Sequence, residues 1–288
     1  MSDIIPCDNL EKAVDHYTKI LGYRLDVIAP ADAPREALLS KGEETIRLMS
    51  EPPPLGGGPT IGKQSTPSEP TGVPNETAMP PAHAGGSDWV TGRAGMEYRD
   101  LIPDRLGGKV IASHIRLTKG GEVPDYVHYH RVDFQMIYCK RGRIKVVYED
   151  QGDPFWLETG DCVLQPPEIR HRVLECTAGA EVIEVSMPAE HETWAEHEIT
   201  LPTEARSDRD YGGQRFVRHI AAETKHTGLN GIVSRDTGIA AATGGFADVR
   251  ILKNETVGKD TKILLTLRGL GAKGDSLLPA PISLEIPI

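Results

Sequence analysis

The chain has 288 residues, a formal net charge of −10 and 39% hydrophobic content, which suits a globular protein of two or three units and speaks against nucleic acid as a partner. No apolar run approaches membrane-spanning length and no charged-then-apolar leader opens the chain, so no membrane partner and a cytoplasmic location are expected. The cysteines Cys7, Cys139, Cys162 and Cys176 lack paired zinc spacing and suggest no oxidising compartment.

Residues 1–50 read as a first unit. Asp8 and Asn9 are N-cap candidates for a helix in which Leu10, Ala13, Val14, Tyr17, Ile20 and Leu21 recur at helical spacing, and Gly22 takes the C-cap position. Strands are predicted at 23–28, 36–40 and 45–49, giving a small α+β unit in βαβββ order. With N-L-E-K-A-V-D-H-Y-T-K-I-L-G-Y, this unit resembles one module of the glyoxalase/bleomycin-resistance (vicinal oxygen chelate) superfamily. Such modules work in pairs, and in metal-binding members the first strand carries a ligand histidine. Here that region reads I-I-P-C, so the resemblance implies a structural unit or half of an intermolecular pair; an ordinary α+β cap is the alternative. Residues 51–87, opening E-P-P-P-L-G-G-G-P, have the composition of a linker.

From 88 to 200 the pattern is mainly β. Strands are predicted at 96–101, 110–117, 126–130, 134–140, 143–148, 155–157, 161–165, 171–176 and 181–186, divided by Gly, Pro and Asp turns, as in an antiparallel barrel or sandwich. The centre of this unit is G-E-V-P-D-Y-V-H-Y-H-R-V-D-F-Q-M-I-Y-C-K-R-G, Gly121 to Gly142. Residues i and i+2 of a strand share a face, so His128 and His130 aim two imidazoles at one point, as a mononuclear metal requires. Gln135 has the opposite parity, which places a turn at about Val132–Asp133 and Gln135 on the next strand. Some thirty residues on, G-D-C-V-L-Q-P-P-E-I-R-H, Gly160 to His171, gives a short strand, a Pro-Pro turn and a histidine. One divalent transition metal (Fe, Ni, Mn, Co or Zn) is expected on His128, His130 and His171, with Gln135 as a fourth ligand or as a group behind the ligands.

These two segments resemble the two motifs of the cupin superfamily. The first usually reads G, a gap, H-x-H, a gap, E, six residues, G, and Gln135 stands where the Glu is usual. The second usually reads G, five residues, P-x-G-x-x-H, three residues, N, and here Glu168 replaces the glycine and Glu175 the asparagine. The resemblance covers roughly 95–200 and implies a cupin double-stranded β-helix, or jelly-roll, barrel.

If Gln135 and His171 point inward, alternation turns Cys139 and Glu175 inward as well. Cys139 reads as packing, and Glu175 is the general acid/base candidate. Arg131, Arg170 and Arg172 each adjoin a ligand. A guanidinium there can clamp a substrate carboxylate, though alternation points all three away unless a turn at Arg131 or Arg170 brings one in. His114 lies in a strand beside the motifs. His16, His83, His191, His197, His219 and His226 read as surface or satisfied core residues.

Residues 201–288 hold a weak internal repeat: 231–252 echoes 95–117. Aligning Gly269 on Gly142 puts Lys262, Val257 and Glu255 opposite Gln135, His130 and His128, so this segment is expected to be a partial, metal-free cupin repeat. Unpaired sheet edges in the first and last units predict a homodimer or larger closed oligomer.

Three imidazoles and an amide are neutral, so a bound dication keeps its charge, which favours Lewis-acid polarisation of a carbonyl or hydroxyl. A three-His, one-Gln set is similar to that of cupins that linearise unsaturated uronates and of some polyketide cyclases. Three-His and three-His, one-Glu relatives include ring- and diketone-cleaving dioxygenases. The expected function is a metal-dependent enzyme acting on a small oxygenated (carbonyl, hydroxyl or carboxylate) molecule by isomerase, cyclase or lyase chemistry. An Fe(II) dioxygenase and a non-catalytic small-molecule sensor are the alternatives.

Overall fold

The structure, a computed structural model, describes residues 3–31, 33–50, 89–92, 95–102, 104–224, 227–229, 231–254, 261–268 and 281–288. The segment read as a linker, 51–87, lies outside the described residues, as do Glu255, Val257 and Gly269 of the repeat comparison.

The first unit runs β1 (Asp3–Pro6), α1 (Leu10–Asp15), one turn of π-helix (His16–Ile20), β2 (Arg24–Ala29), β3 (Glu36–Lys41) and β4 (Glu44–Met49). Asn9 caps α1, its side chain accepting from the Lys12 N–H at 2.9 Å, which satisfies one of the first-turn donors. Leu10 packs on Ala37, Leu39, Ile46 and Leu48, so the helical apolar stripe covers one face of the sheet. The order is β1-β4-β3-β2, with β1 parallel to β4. This sheet does not end at β2.

The central unit contributes β5 (Val90–Thr91), β6 (Glu97–Asp100), β7 (Ile111–Leu117), β8 (Gly121–Glu122), β9 (His128–His130), β10 (Phe134–Arg141), β11 (Arg143–Tyr148), β12 (Phe155–Glu158), β13 (Cys162–Leu164), β14 (His171–Cys176), β15 (Ala180–Met187), β16 (Thr193–Ala195) and β17 (Val217–His219). All nine predicted strands are present. One sheet has the order β1-β4-β3-β2-β16-β9-β14-β11-β12, with β8 on β14; the facing sheet is β17-β13-β10-β15-β7-β6-β5. Strand β16 pairs with β2 on one side and β9 on the other. The N-terminal sheet is therefore a direct continuation of the sheet that carries the H-x-H pair, and one of the edges expected to be open is closed within the chain.

Between the two sheets, Ile115, Ile137, Cys139, Ile144, Val146, Val163 and Val182 form the barrel interior. Gly142 makes the β10–β11 turn at φ +70°, where a Cβ would meet Thr177 Oγ1 at 2.5 Å, so no larger residue fits. At the glycine position of the second motif, Glu168 adopts φ +59°, a left-handed conformation that costs a non-glycine residue roughly 1–2 kcal/mol.

The last unit is an antiparallel meander of β18 (Thr227–Leu229), β19 (Ile232–Asp236), β20 (Ala247–Asn254), β21 (Thr261–Leu267) and β22 (Ile282–Pro287), with a helical turn Ile239–Ala242 before β20. Its buried face, with Ile239, Val249, Ile263, Leu265 and Ile286, packs on Phe134, Met136, Tyr138, Leu164, Ile183 and Val185. Those residues alternate with the interior ones along β10, β13 and β15. Both faces of that sheet are thus covered, which explains why β10 is buried at every position from Phe134 to Cys139. Among the described residues no helix is long and apolar enough to cross a membrane.

Candidate metal centre

Strand β9 is short, and its two histidines point the same way because they are two residues apart. On the neighbouring strand, His171 sits directly opposite His128 in the β9–β14 ladder, where cross-strand Cβ atoms lie about 4.5–5.5 Å apart. The three rings converge, with centroids 5.2 Å apart for His128 and His130, 4.3 Å for His128 and His171, and 5.4 Å for His130 and His171. One ligand nitrogen from each lies within 4.8 Å of the others, and all three residues are buried.

Each imidazole is oriented from behind. His128 Nδ1 lies 2.7 Å from the Tyr126 carbonyl, and His171 Nδ1 lies 2.9 Å from that of Ile169. A carbonyl only accepts, so in both rings Nδ1 carries the proton and Nε2 the lone pair that a metal takes. His130 Nδ1 lies 3.0 Å from Thr193 Oγ1, across the β9–β16 pair. The Asp125 carboxylate accepts from the Val173 N–H at 2.9 Å and stands 3.6 Å from His128 Nδ1. A neutral donor set backed by one carboxylate fits a divalent transition metal. It also corrects the expectation that nothing offsets the metal's charge.

The rings open on a cavity of about 60 Å³ whose walls are mostly aliphatic. Tyr148 stacks on His171 with centroids 5.5 Å apart, and burial pushes its phenol well above the usual range. Glu184, Gln165 and Tyr98 also line this cavity, and residue-by-residue reading of the sequence singled out none of them. Alternation along β15 was the available signal for Glu184: Val182, which it flanks at i+2, faces the interior. Gln165 lies in the second motif just before the Pro-Pro turn.

The remaining candidates separate clearly. The turn between β9 and β10 falls at 131–133, and Gln135 has the interior parity of Ile137 and Cys139 on β10. Gln135 is 1% exposed and its Nε2 has no hydrogen-bond partner among the described residues, but it is not among the residues that line the cavity. The Gln165 N–H donates to the Gln135 carbonyl at 2.9 Å, which brings the two glutamines together. Glu175 does not line the cavity. A bulge in β14 pairs Val146 with Val173 but Lys145 with Glu175, so the extra residue turns Glu175 to the outer face beside Lys145. Strict alternation from His171 failed at that bulge.

Arg131 and Arg170 also lie outside the barrel. Arg131 sits over the Trp194 ring at 4.2 Å and 3.3 Å from Glu192. Arg170 sits over Tyr129 at 4.3 Å and donates to Glu196 at 3.1 Å. Their positions follow from Tyr129 pointing opposite to the flanking histidines. Arg172 pairs with Val147 in the ladder, out of phase with His171 and Val173, and does not line the cavity either. His114 faces away from the cavity, its Nε2 2.8 Å from Glu181 and its Nδ1 3.0 Å from Arg99. Burial holds its pKa below the ordinary value. Cys139 is core packing, its thiol pushed up to about 12 by burial. His191, set aside in the sequence, is buried with its ring 5.3 Å from that of His130.

A family model described as Cupin domain matches residues 113–186. Among solved structures, the protein Ylba from E. coli is 15% identical with a TM-score of 0.36, covering 60% of this chain and 61% of that one. An RmlC-like cupin from Shewanella frigidimarina is 24% identical with a TM-score of 0.31, covering 39% of this chain and 93% of its own. An oxalate decarboxylase from Bacillus subtilis is 12% identical with a TM-score of 0.38, covering 61% of this chain and 54% of its own. The chain thus spans less than two thirds of the length of Ylba and of the oxalate decarboxylase. No curated protein matches the sequence. Residues 113–186 of the central barrel are thus similar to the cupin domain family, and the two facing antiparallel sheets and the converging histidines on β9 and β14 agree with that likeness.

Proposed function

We propose that this chain is a metal-dependent cupin enzyme that acts on a small oxygenated molecule by Lewis-acid isomerase, cyclase or lyase chemistry. The observation that carries this reading is the anchoring of His128 and His171 through Nδ1 to backbone carbonyls, which leaves Nε2 as the ligating atom in a buried aliphatic cavity. A bound divalent metal supplies Lewis acidity, polarising a carbonyl or hydroxyl and lowering the pKa of a bound water. His128, His130 and His171 hold it, with the Gln135 amide oxygen as fourth donor. Glu184, on the opposite sheet, replaces Glu175 as the group that takes or returns a proton on the substrate. The apolar wall of Ile137, Val146 and Val182 excludes water from the reacting atoms.

In this reading the first unit is one glyoxalase-like half without a ligand histidine, and the last is a partial cupin repeat covering the barrel. Strand β1, with Ile4 60% exposed, is the edge through which a homodimer forms. The decisive assay loads apo-protein with Zn or Fe(II) separately and follows one converted substrate with and without oxygen. Turnover with Zn and without oxygen is expected. Product only with Fe(II) and oxygen replaces this reading by a dioxygenase, and tight ligand binding without turnover replaces it by a sensor.

A further inference from the structure

Arg131 and Arg170, which adjoin metal ligands in the sequence, take no part in the cavity, yet on the outer face they are the two ends of one row of contacts. Arg131 sits over the Trp194 ring at 4.2 Å. The Trp194 and Tyr129 rings are 13° from parallel with centroids 6.2 Å apart, and Arg170 sits over Tyr129 at 4.3 Å. Ring pairs at this separation and guanidinium groups at this height both attract. Each end is tied to a carboxylate. Glu192 Oε2 accepts from Trp194 Nε1 at 2.7 Å and from Arg131 Nη1 at 3.3 Å, and Glu196 Oε2 accepts from Arg170 Nε at 3.1 Å.

What distinguishes this row is its place in the chain. Tyr129 stands between His128 and His130, Arg131 follows His130, and Arg170 precedes His171. Trp194 follows Thr193, whose hydroxyl lies 3.0 Å from His130 Nδ1. Every member is therefore the immediate neighbour of a residue of the metal centre. Successive side chains of a strand leave one backbone toward opposite faces, so a ring held on the outer face fixes the twist of the strand and the direction of the imidazoles on the inner face. Strand β9 needs such support, because it has three residues and meets β14 at a single paired position, His128 with His171.

We infer that the outer row Arg131, Trp194, Tyr129 and Arg170 positions the metal ligands from behind, holding β16, β9 and the start of β14 in the register at which His128, His130 and His171 converge. The inference rests on the metal reading above. It gives the two arginines a positioning role in place of the carboxylate clamp expected from the sequence. Tyr129 is directly opposite Trp194 in the β9–β16 ladder, and His130 is directly opposite Thr193. A slip of β16 by one residue would therefore break the ring pair on one face and the imidazole–hydroxyl contact on the other together. The same sheet supplies a control: Arg143 sits over Trp156 at 4.4 Å, a contact of the same kind on β11 and β12 whose members adjoin no ligand.

The test uses the full chain with Co(II), its affinity measured by competition against a chromophoric chelator and its visible bands recorded as a report of coordination geometry. Trp194→Leu removes the middle of the row and should lower cobalt affinity at least about tenfold, equal to about 1.4 kcal/mol, and change the bands. Trp194→Phe, which keeps a ring, should recover most of the affinity. Trp156→Leu removes the control contact and should leave affinity and bands as in the parent, whatever it does to the melting temperature of the metal-free protein. Tyr129→Leu, beside Tyr129→Phe, repeats the comparison on β9 and decides the matter where Trp194→Leu fails to fold. Unchanged affinity in the leucine variants of Trp194 and Tyr129, or an equal loss in Trp156→Leu, overturns the inference and leaves the metal site standing. Failure of the parent chain to bind cobalt overturns the metal reading and this inference together.

Discussion

Thr193 offers a sharp test of how the centre is built. It is 1% exposed, opposes His130 in the β9–β16 ladder, and its hydroxyl lies 3.0 Å from His130 Nδ1. Thr193→Val keeps the branched shape and deletes only the hydroxyl. Losing the group that fixes a ligand imidazole typically lowers metal affinity about 10–100-fold, or about 1.4–2.7 kcal/mol. The metal-free protein loses one hydrogen bond, about 1 kcal/mol, so its melting temperature falls only slightly while the metal-induced rise in that temperature shrinks. The assay is a Zn competition titration against a chromophoric chelator, run beside thermal melts with and without metal. Thr193→Ser, which retains the hydroxyl, serves as control and should bind metal nearly as well as the parent. Equal affinity in the valine and parent proteins would falsify the claim that β16 positions His130.

His128→Ala, His130→Ala or His171→Ala should each abolish most metal binding, with Gln135→Ala weakening it less; full occupancy in His171→Ala, read by elemental analysis, removes the site as drawn. Leu265→Ala in the last sheet, at 0% exposure, should cost about 2–5 kcal/mol and lower the single melting transition of the whole chain; a separate, lower transition for the last unit alone contradicts a shared core. The His114 pKa is held below its ordinary 6.5 by burial, with Lys140 and Arg99 adding to the effect, so the unfolded chain binds more protons in that window. Stability should therefore fall as pH drops below about 6.5, and denaturant titrations of His114→Gln should show a shallower fall; an unchanged slope contradicts it. Glu168→Gly relieves a left-handed backbone and should stabilise by up to about 1 kcal/mol after the entropy cost of glycine; destabilisation in urea titrations shows that the side chain outweighs the strain.

How much of this was legible beforehand differs by residue. His128 and His130 were readable because strand alternation is local: two residues apart on any strand means one face. The turn before Gln135 followed from the same parity. The Glu168 and Gly142 positions were marked by motif spacing, and both adopt positive φ. The helix of the first unit was readable from its cap and apolar spacing, though not its passage into a π-turn at His16–Ile20.

Other features exist only because distant strands meet. Glu175 follows His171 at an inward position on paper, and one extra residue in the ladder opposite Lys145 and Val146 turns it out. Glu184 and Gln165 reach the cavity because β15 and the end of β13 close the wall opposite β9 and β14, a pairing that spans dozens of residues. The N-terminal sheet joins the barrel through β16, three residues whose local sequence carries no signal of two partners. The sequence by itself determined which residues alternate, where the chain turns and which three histidines share a site. Which face of each strand became cavity, surface or second core was decided by the tertiary structure, because a bulge or a covering sheet changes the surroundings of a residue without changing its neighbours in the chain.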